Sequence, residues 1–438
     1  MSHCFQNYLV FCIAALLVLT VVPVNAADHP DDVQGRTNVA GGRMPGATIP
    51  LTLSEAEQLA LAADPLLPRY GALAAAGQEQ AVADGQLPDP TLSLGLQDVP
   101  TRNLNLTDDN FTMLTLGAQQ AFPPGKSLHF KQRRAEALSD AEQARVEQQR
   151  RNVLNAVRAG WLEVYYQTQA LTVVQQSQQL LKQLTEVAQS QYGAGLATPQ
   201  DLLNVELEQR MVKERLAGIE TDRAVAQAEL AKWLGSHQPE RPLALDFPVL
   251  AEPARREEIE ARLDAHPLMR VEDALVDAGQ SDVEIARAQY QPGWGVGVNY
   301  GLRGGGRTDY ISAMVTVELP LFPGKRQDRR LAASQQQVHA ARYARDDRKR
   351  DLLHALATDY VTWRLLGERN TAYQNEILPQ ARQNTEAAIK AYQSNFGAFS
   401  EVIRARGTEL EAKLQALRLQ VDRAKAQARL LYLQGESS

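Results

Sequence analysis

The chain has 438 residues, a net charge of −6 and only 6% aromatic residues, and Ala, Gln, Leu, Arg and Glu are prominent in it. That bias favours long helices over a compact mixed core. The charge balance, with no strong basic patch, argues against a nucleic-acid partner.

In chain order, the first feature is an apolar run from Tyr8 to Val22, followed by Val24-Asn25-Ala26-Ala27. The run is short for a spanning helix, and small residues at Val24 and Ala26 suit signal-peptidase cleavage after Ala26. Residues 1–26 are therefore read as a signal peptide, although its leading part offers only His3 where Lys or Arg is usual. The cysteines, Cys4 and Cys12, both fall inside this segment. A mature chain without them has no disulfide, no thiol chemistry, no Cys-ligated zinc and no lipid-bearing N-terminal cysteine. Residues 27–50 are polar and rich in Gly and Pro, and form an extended lead-in.

A helix is expected from about Leu53 to Asp84, then two strands. Thr91 to Gln97 alternates, with Leu92, Leu94 and Leu96 opposite Thr91, Ser93, Gly95 and Gln97. Phe111 to Phe122 places Leu114, Leu116 and Ala118 opposite Thr115, Gly117 and Gln119. Lys126 to Thr198 contains no proline, long enough for a helix of about 100 Å at 1.5 Å per residue. Its apolar residues keep a seven-residue beat through Leu154, Val157, Trp161, Val164 and Leu171. Gln200 to Gln238 continues the beat with Leu202, Val205, Val212, Leu216, Ile219, Ala226, Leu230 and Trp233, the pattern of coiled-coil packing. Between the two runs lies Gly193-Ala194-Gly195-Leu196-Ala197-Thr198-Pro199. Glycines past a helix end, then Thr as N-cap with Pro at the first helical position, predict a tight helical hairpin.

After a linker at 239–256 the plan recurs. Tyr192 to Gly235 aligns with Tyr392 to Gly435 without a gap, and Pro124-Gly125-Lys126 answers Pro323-Gly324-Lys325. Residues 51–238 and 257–438 are thus two repeats of one unit, helix, two strands and long helical hairpin. The period is far longer than that of a solenoid. The second unit has a helix at about Glu257 to Ala288 and a strand with Trp294, Val296, Val298, Tyr300 and Leu302 on one face. Its next strand carries Ile311, Ala313, Val315, Val317 and Leu319 on one face. Helices at Lys325 to Tyr392 and Ser400 to Leu433 follow, the first interrupted or kinked at Pro379.

The strands pair an apolar face with a face of small polar residues. Alternation alone fits either soluble hairpins packed on the helices or tilted outer-membrane strands of about 9–11 residues. The signal peptide and the missing globular core favour the membrane. Four strands cannot close a barrel, and an open edge is forbidden in lipid. On the membrane reading several chains must share one barrel, and three would supply twelve strands. The fold class is therefore mixed and mainly α: long helical hairpins forming a periplasmic barrel, with four transmembrane strands per chain.

These features resemble the TolC-like outer-membrane efflux duct family over about Leu51 to Gly435. The pieces are Leu53-Ser54-Glu55-Ala56, Leu87-Pro88-Asp89-Pro90, Tyr192-Gly193-Ala194-Gly195-Leu196-Ala197-Thr198 with Asp201-Leu202-Leu203, Leu319-Pro320-Leu321-Phe322, and Ile377-Leu378-Pro379-Gln380-Ala381. Leu-Pro-Gln-Ala at that place leans towards the heavy-metal branch (cobalt-zinc-cadmium or copper-silver resistance). The resemblance implies a homotrimer in outer-membrane lipid, a twelve-stranded barrel and a long periplasmic helical tunnel. It also implies a periplasmic adaptor and an inner-membrane pump of the resistance-nodulation-division type. Cargo would pass passively, heavy-metal cations first, with a multidrug duct or a non-channel periplasmic scaffold as alternatives.

Adaptor docking, in the family, involves the hairpin tips, here Gly193, Gly195, Leu196, Ala197 and Thr198 and, in the second unit, Asn395, Phe396, Gly397 and Ala398. The inner tip also forms the entrance constriction, which makes Tyr392, Glu401 and Arg404 the candidate gate. A ring of three Glu401 carboxylates would favour cations. The readier explanation of Glu401 is a first-turn carboxylate stabilised by the helix dipole, which needs no gating role. Arg404 and Gly397 depart from the multidrug relatives' gate.

Other motifs carry no chemistry. Gly125-Lys126-Ser127 lacks the first glycine of a phosphate loop, where Gln120 stands. Gly295-Val296-Gly297 lies in a strand without a following helix. His129, His237, His266, His339 and His354 lack metal-ligand spacing. No cofactor, resident metal or catalytic set is expected, and the chain is read as a non-enzyme.

Overall fold

A computed structural model describes residues 50–102, 109–194, 198–235, 241–394 and 396–435. The signal segment, nearly all of the lead-in, and the tip residues Gly195, Leu196, Ala197 and Asn395 lie outside the described residues.

The first helix divides. Helix α1 (Leu53–Ala63) begins on Thr52, whose side chain accepts from the Glu55 N–H at 3.2 Å. It stops at Asp64, and α2 (Leu66–Asp84) starts beyond Pro65. A single helix across Leu53 to Asp84 was expected. The correction is local chemistry: a residue before proline is driven out of the α region, and Asp64 has ψ 118°. Its Oδ1 then accepts the N–H groups of Leu66 and Leu67, both at 2.9 Å. The second repeat breaks in the same way. Helix α5 (Arg256–Arg262) and a 3-10 turn (Leu263–Ala265) end at His266, whose Nδ1 accepts from the Leu268 N–H and opens α6 (Pro267–Ala288).

Strands β1 (Thr91–Gln97), β2 (Met113–Phe122), β3 (Gly293–Leu302) and β4 (Tyr310–Glu318) form one antiparallel sheet in that order, so the two repeats meet at β2–β3. The register keeps the faces apart. Leu94, Leu116, Tyr300 and Ile311 form one cross-strand row, and Ser93, Gly117, Asn299 and Ser312 another on the opposite face. Phe122 stacks on Trp294 at 4.0 Å between centroids.

Helix α3 (Ser127–Gly193) runs 67 residues, about 100 Å of rise. It packs against α2 and α6 in its first part, and against α4 (Pro199–Leu234) and α9 (Phe399–Gln434) further on. The seven-residue beat is its core: Val157, Trp161 and Val164 are buried with Leu230 and Leu234 of α4 and Val421 of α9. A second cluster joins Leu171, Val205, Val212, Phe399 and Leu410 nearer the hairpin ends. The linker is no slack tether. Leu51 pairs in parallel with Leu243, Trp161 Nε1 donates to the Leu51 carbonyl at 3.4 Å, and Phe247 sets its edge on Tyr165.

In the second repeat, a 3-10 turn (Pro323–Lys325) leads into α7 (Gln327–Ala372), a π turn (Tyr373–Ile377) and α8 (Leu378–Gln393). The π turn answers the expected break at Pro379. A proline ring collides with the carbonyl four residues back, here Asn375, and lacks an N–H. Widening the preceding turn removes both conflicts without ending the helix.

Candidate functional site

Two surfaces stand out. At the sheet, every residue of β1 and β4 is exposed. Leu92 (78% exposed), Leu94, Leu96, Trp294, Val298, Ile311, Val315 and Val317 make one continuous apolar face, each of them 47% exposed or more. The opposite face carries mostly glycine and polar residues (Ser, Thr, Asn, Gln and Glu318), with Met113, Tyr310 and Met314 among them. At Gly117 a Cβ would lie 2.1 Å from Asn299 Oδ1 and 2.6 Å from Ser93 Oγ, so a larger residue there would push those polar side chains aside. Among the described residues both sheet edges are open. A soluble sheet hides such edges and such a face.

The far ends of the helices form the second surface. Thr198 opens α4 with a capping box: its Oγ1 accepts from the Asp201 N–H, and its own N–H donates to Asp201 Oδ2, each at 3.2 Å. Gly193 ends α3 with open space around it. In the second repeat the chain reverses more tightly. The N–H groups of Phe396 and Gly397 both donate to the Ala391 carbonyl, at 2.9 and 3.1 Å. A Cβ on Gly397 would sit 3.0 Å from that of Ala391, which is why glycine stands there. Ala398 offers no side-chain cap to α9, and Phe396 projects from the tip at 91% exposure. Tyr392 is tied to α3 by a hydrogen bond from its hydroxyl to Gln191 Oε1, and its ring packs 5.2 Å from that of buried Phe399.

Glu401 and Arg404 are brought together. Arg404 Nη1 lies 3.2 Å from Glu401 Oε1, both side chains more than half exposed. The carboxylate thus has a cation of its own, and a local pair presents little net charge.

A second charged cluster, missed in the sequence, joins α3 to α9. Arg418 Nη1 lies 3.0 Å from Glu163, Lys425 Nζ binds the same carboxylate, and Arg418 also reaches Asp422 at 3.1 Å and covers the Tyr166 ring. Burial pushes the Glu163 carboxyl up, but Lys425 and Arg418 together outweigh it and hold it below its usual range. The signal was present: 418, 422 and 425 share one helix face, and Glu163 stands inside the apolar beat of α3. Elsewhere, His266 is 2% exposed. Burial, then the Arg151 guanidinium, lowers its imidazole from 6.5 to about 4.

Among the described residues no group of His, Cys, Asp and Glu could hold a metal ion, and no helix is long and apolar enough to cross a membrane. The latter says nothing of strands.

No curated protein matches the sequence. The fold is similar to solved structures of outer-membrane channels. The outer membrane protein VceC of Vibrio cholerae has a TM-score of 0.74 at 20% identity, over 88% of this chain and 97% of that one. The CmeC outer membrane channel of Campylobacter jejuni has a TM-score of 0.75 at 12% identity, over 88% and 87%. CusC, whose transmembrane channel formation has been described, has a TM-score of 0.73 at 14% identity, over 88% and 92%. The family model described as outer membrane efflux protein matches residues 56–236 and 259–436. Those two segments take in most of the sequence, and the chain belongs to the outer membrane efflux protein family.

Proposed function

We propose that the chain is the exit duct of a tripartite efflux system, a homotrimer whose twelve strands close a barrel in outer-membrane lipid. The observation that carries this is the sheet: four strands, two bare edges and one bare apolar face. Lipid forbids an open edge, and joining β4 of one copy to β1 of the next satisfies both edges. Residues 1–26 act as the signal peptide, and the two repeats, 51–238 and 257–438, each contribute half of the strands and one helical hairpin.

The duct works passively. A periplasmic adaptor docks on the tips, where Phe396 offers an apolar anchor beside a tight backbone, and an inner-membrane pump of the resistance-nodulation-division type supplies the energy. Tyr392, Glu401 and Arg404 form the periplasmic gate. Because Arg404 neutralises Glu401, the ring at the entrance selects weakly between cations and anions.

The cargo is heavy-metal cations, a reading supported by Leu378-Pro379-Gln380-Ala381 and its resemblance to the metal-resistance branch. The test is a deletion strain complemented with this chain and challenged with Co, Zn, Cd, Ni, Cu and Ag salts and with antibiotics, dyes and detergents. Selective metal sensitivity in the deletion is expected. Sensitivity to drugs alone would replace the metal reading with a multidrug duct.

A further inference from the structure

Below β4 the chain passes through Leu319–Phe322 and the Pro323–Lys325 turn into α7. A cavity of about 330 Å³ lies at this turn, and Glu318, Arg326, Gln327 and Arg330 contribute to its wall. Arg330 gives one N–H to Gln289 Oε1 at 3.0 Å. Among the described residues, neither Arg326 nor Glu318 has an ion pair or side-chain hydrogen bond. Gln327 is 7% exposed, and its Oε1 is buried without a donor. Two guanidiniums and a carboxylate therefore line one cavity without a direct ion pair among them. The nearby Asp328 is engaged by the Tyr290 hydroxyl at 2.5 Å.

Leu319 and Pro320 complete the wall, and Leu321 and Phe322 follow directly in the chain. Leu319, Leu321 and Phe322 are 60%, 69% and 82% exposed. By the alternation of β4, Leu319 continues the apolar face of Val315 and Val317, whereas Glu318 belongs to the polar face. The turn sets charged groups from one face beside apolar side chains of the other. Nor is this a by-product of duplication. The aligned turn of the first repeat has Gln119, Ser127, Leu128 and Lys131 where the second has Glu318, Arg326, Gln327 and Arg330.

We propose that this turn binds the headgroup of a phospholipid carrying both a phosphate and a primary ammonium, a glycerophosphoethanolamine. Guanidiniums match phosphate oxygens in geometry and charge, so Arg326 and Arg330 take the phosphate. Glu318 and the Gln327 carbonyl, acceptors only, take the ammonium. An acyl chain then runs from Leu319 up the apolar face. The site rests on the outer-membrane reading of the sheet.

The test is native mass spectrometry of the full-length protein, delipidated and then exposed to equal amounts of phosphatidylethanolamine, phosphatidylglycerol and phosphatidylcholine. Preferential retention of phosphatidylethanolamine is expected. The double variant Arg326→Gln/Arg330→Gln should weaken retention by about tenfold or more, the scale of lost charge-assisted hydrogen bonds. Glu318→Gln should erase the preference over phosphatidylglycerol while leaving phosphatidylglycerol itself bound. Equal retention of all three lipids, a preference for phosphatidylglycerol, or indifference to the variants would overturn the site. Vesicle insertion of the same preparation separates the two readings. A chain that inserts without lipid preference refutes the site alone, and one that stays out of vesicles refutes the membrane assignment with it.

Discussion

Adjacent positions of β4 point to opposite faces, and this allows a paired test in which only the face differs. Val315 is 67% exposed on the apolar face, opposite Val296; Met314 is 51% exposed on the polar face, opposite Gly297. Both lie near the middle of Tyr310–Glu318. Arginine at the midplane of a lipid-facing strand costs about 2–4 kcal/mol, so Val315→Arg in three copies costs about 6–12 kcal/mol. That is comparable to the whole stability of a domain, about 5–15 kcal/mol. On the proposed barrel Met314→Arg points into a wet lumen over a glycine and should change stability by no more than about 0.5 kcal/mol per copy. Folding into lipid vesicles across a urea series, read by tryptophan fluorescence and the heat-sensitive oligomer band, would compare them. Val315→Arg should fail to insert at urea concentrations where Met314→Arg and the parent fold. Equal loss, or equal tolerance, would refute the assignment of faces to lipid and lumen.

Other consequences can be measured separately. The His266 imidazole, lowered to about 4 by burial and Arg151, binds no proton where the unfolded side chain does. Its contribution is complete above about pH 6.5 and falls as pH drops towards 4, by about 3 kcal/mol over the window. His266→Asn, which keeps an acceptor for the Leu268 N–H, should flatten the urea midpoint between pH 6.5 and 4.5; an unchanged slope would count against the buried neutral imidazole. Thr198→Ala should loosen the start of α4 by about 1 kcal/mol, and Ala398→Thr should tighten α9 by a similar amount by completing a capping box with Glu401. Hydrogen exchange of the first-turn amides reads both, and identical protection in all three proteins would reject the capping argument. At the gate, Arg404→Gln should raise cation selectivity of the bilayer-inserted channel and Glu401→Gln should lower it. Unmoved reversal potentials would remove the pair from the conduction path.

Strands were the most legible part of the fold. Period-two alternation bounded by polar loops placed Thr91–Gln97 directly and Tyr310–Glu318 to within a residue, although Met314 interrupts the polar face of the latter. The long helices followed from proline-free runs with a seven-residue beat, now seen as buried Val157, Trp161, Val164, Val205 and Val212. The breaks at Asp64–Pro65 and His266–Pro267 were announced by their prolines, but apolar residues continue on both sides and carry the helical pattern across them. For the Glu163, Arg418 and Lys425 cluster the sequence showed each half, a charged α9 face and a carboxylate inside the α3 beat, but not that the two meet. At the candidate gate, the spacing of Glu401 and Arg404 was visible, but their 3.2 Å pairing depends on rotamers.

The central claim is that three sheets close one barrel through β4 and β1. Oxidative crosslinking tests it most directly, because Cys4 and Cys12 are the chain's own cysteines and both precede Ala26. One cysteine at Leu94 of β1, combined in turn with cysteines along β4 at Ile311, Ala313, Val315 and Val317, would be oxidised in isolated outer membranes and run on denaturing gels. At the matching register the account predicts a ladder of one, two and three chains that stops at the closed trimer. Monomer at every register, or a ladder running on past three chains, would contradict it.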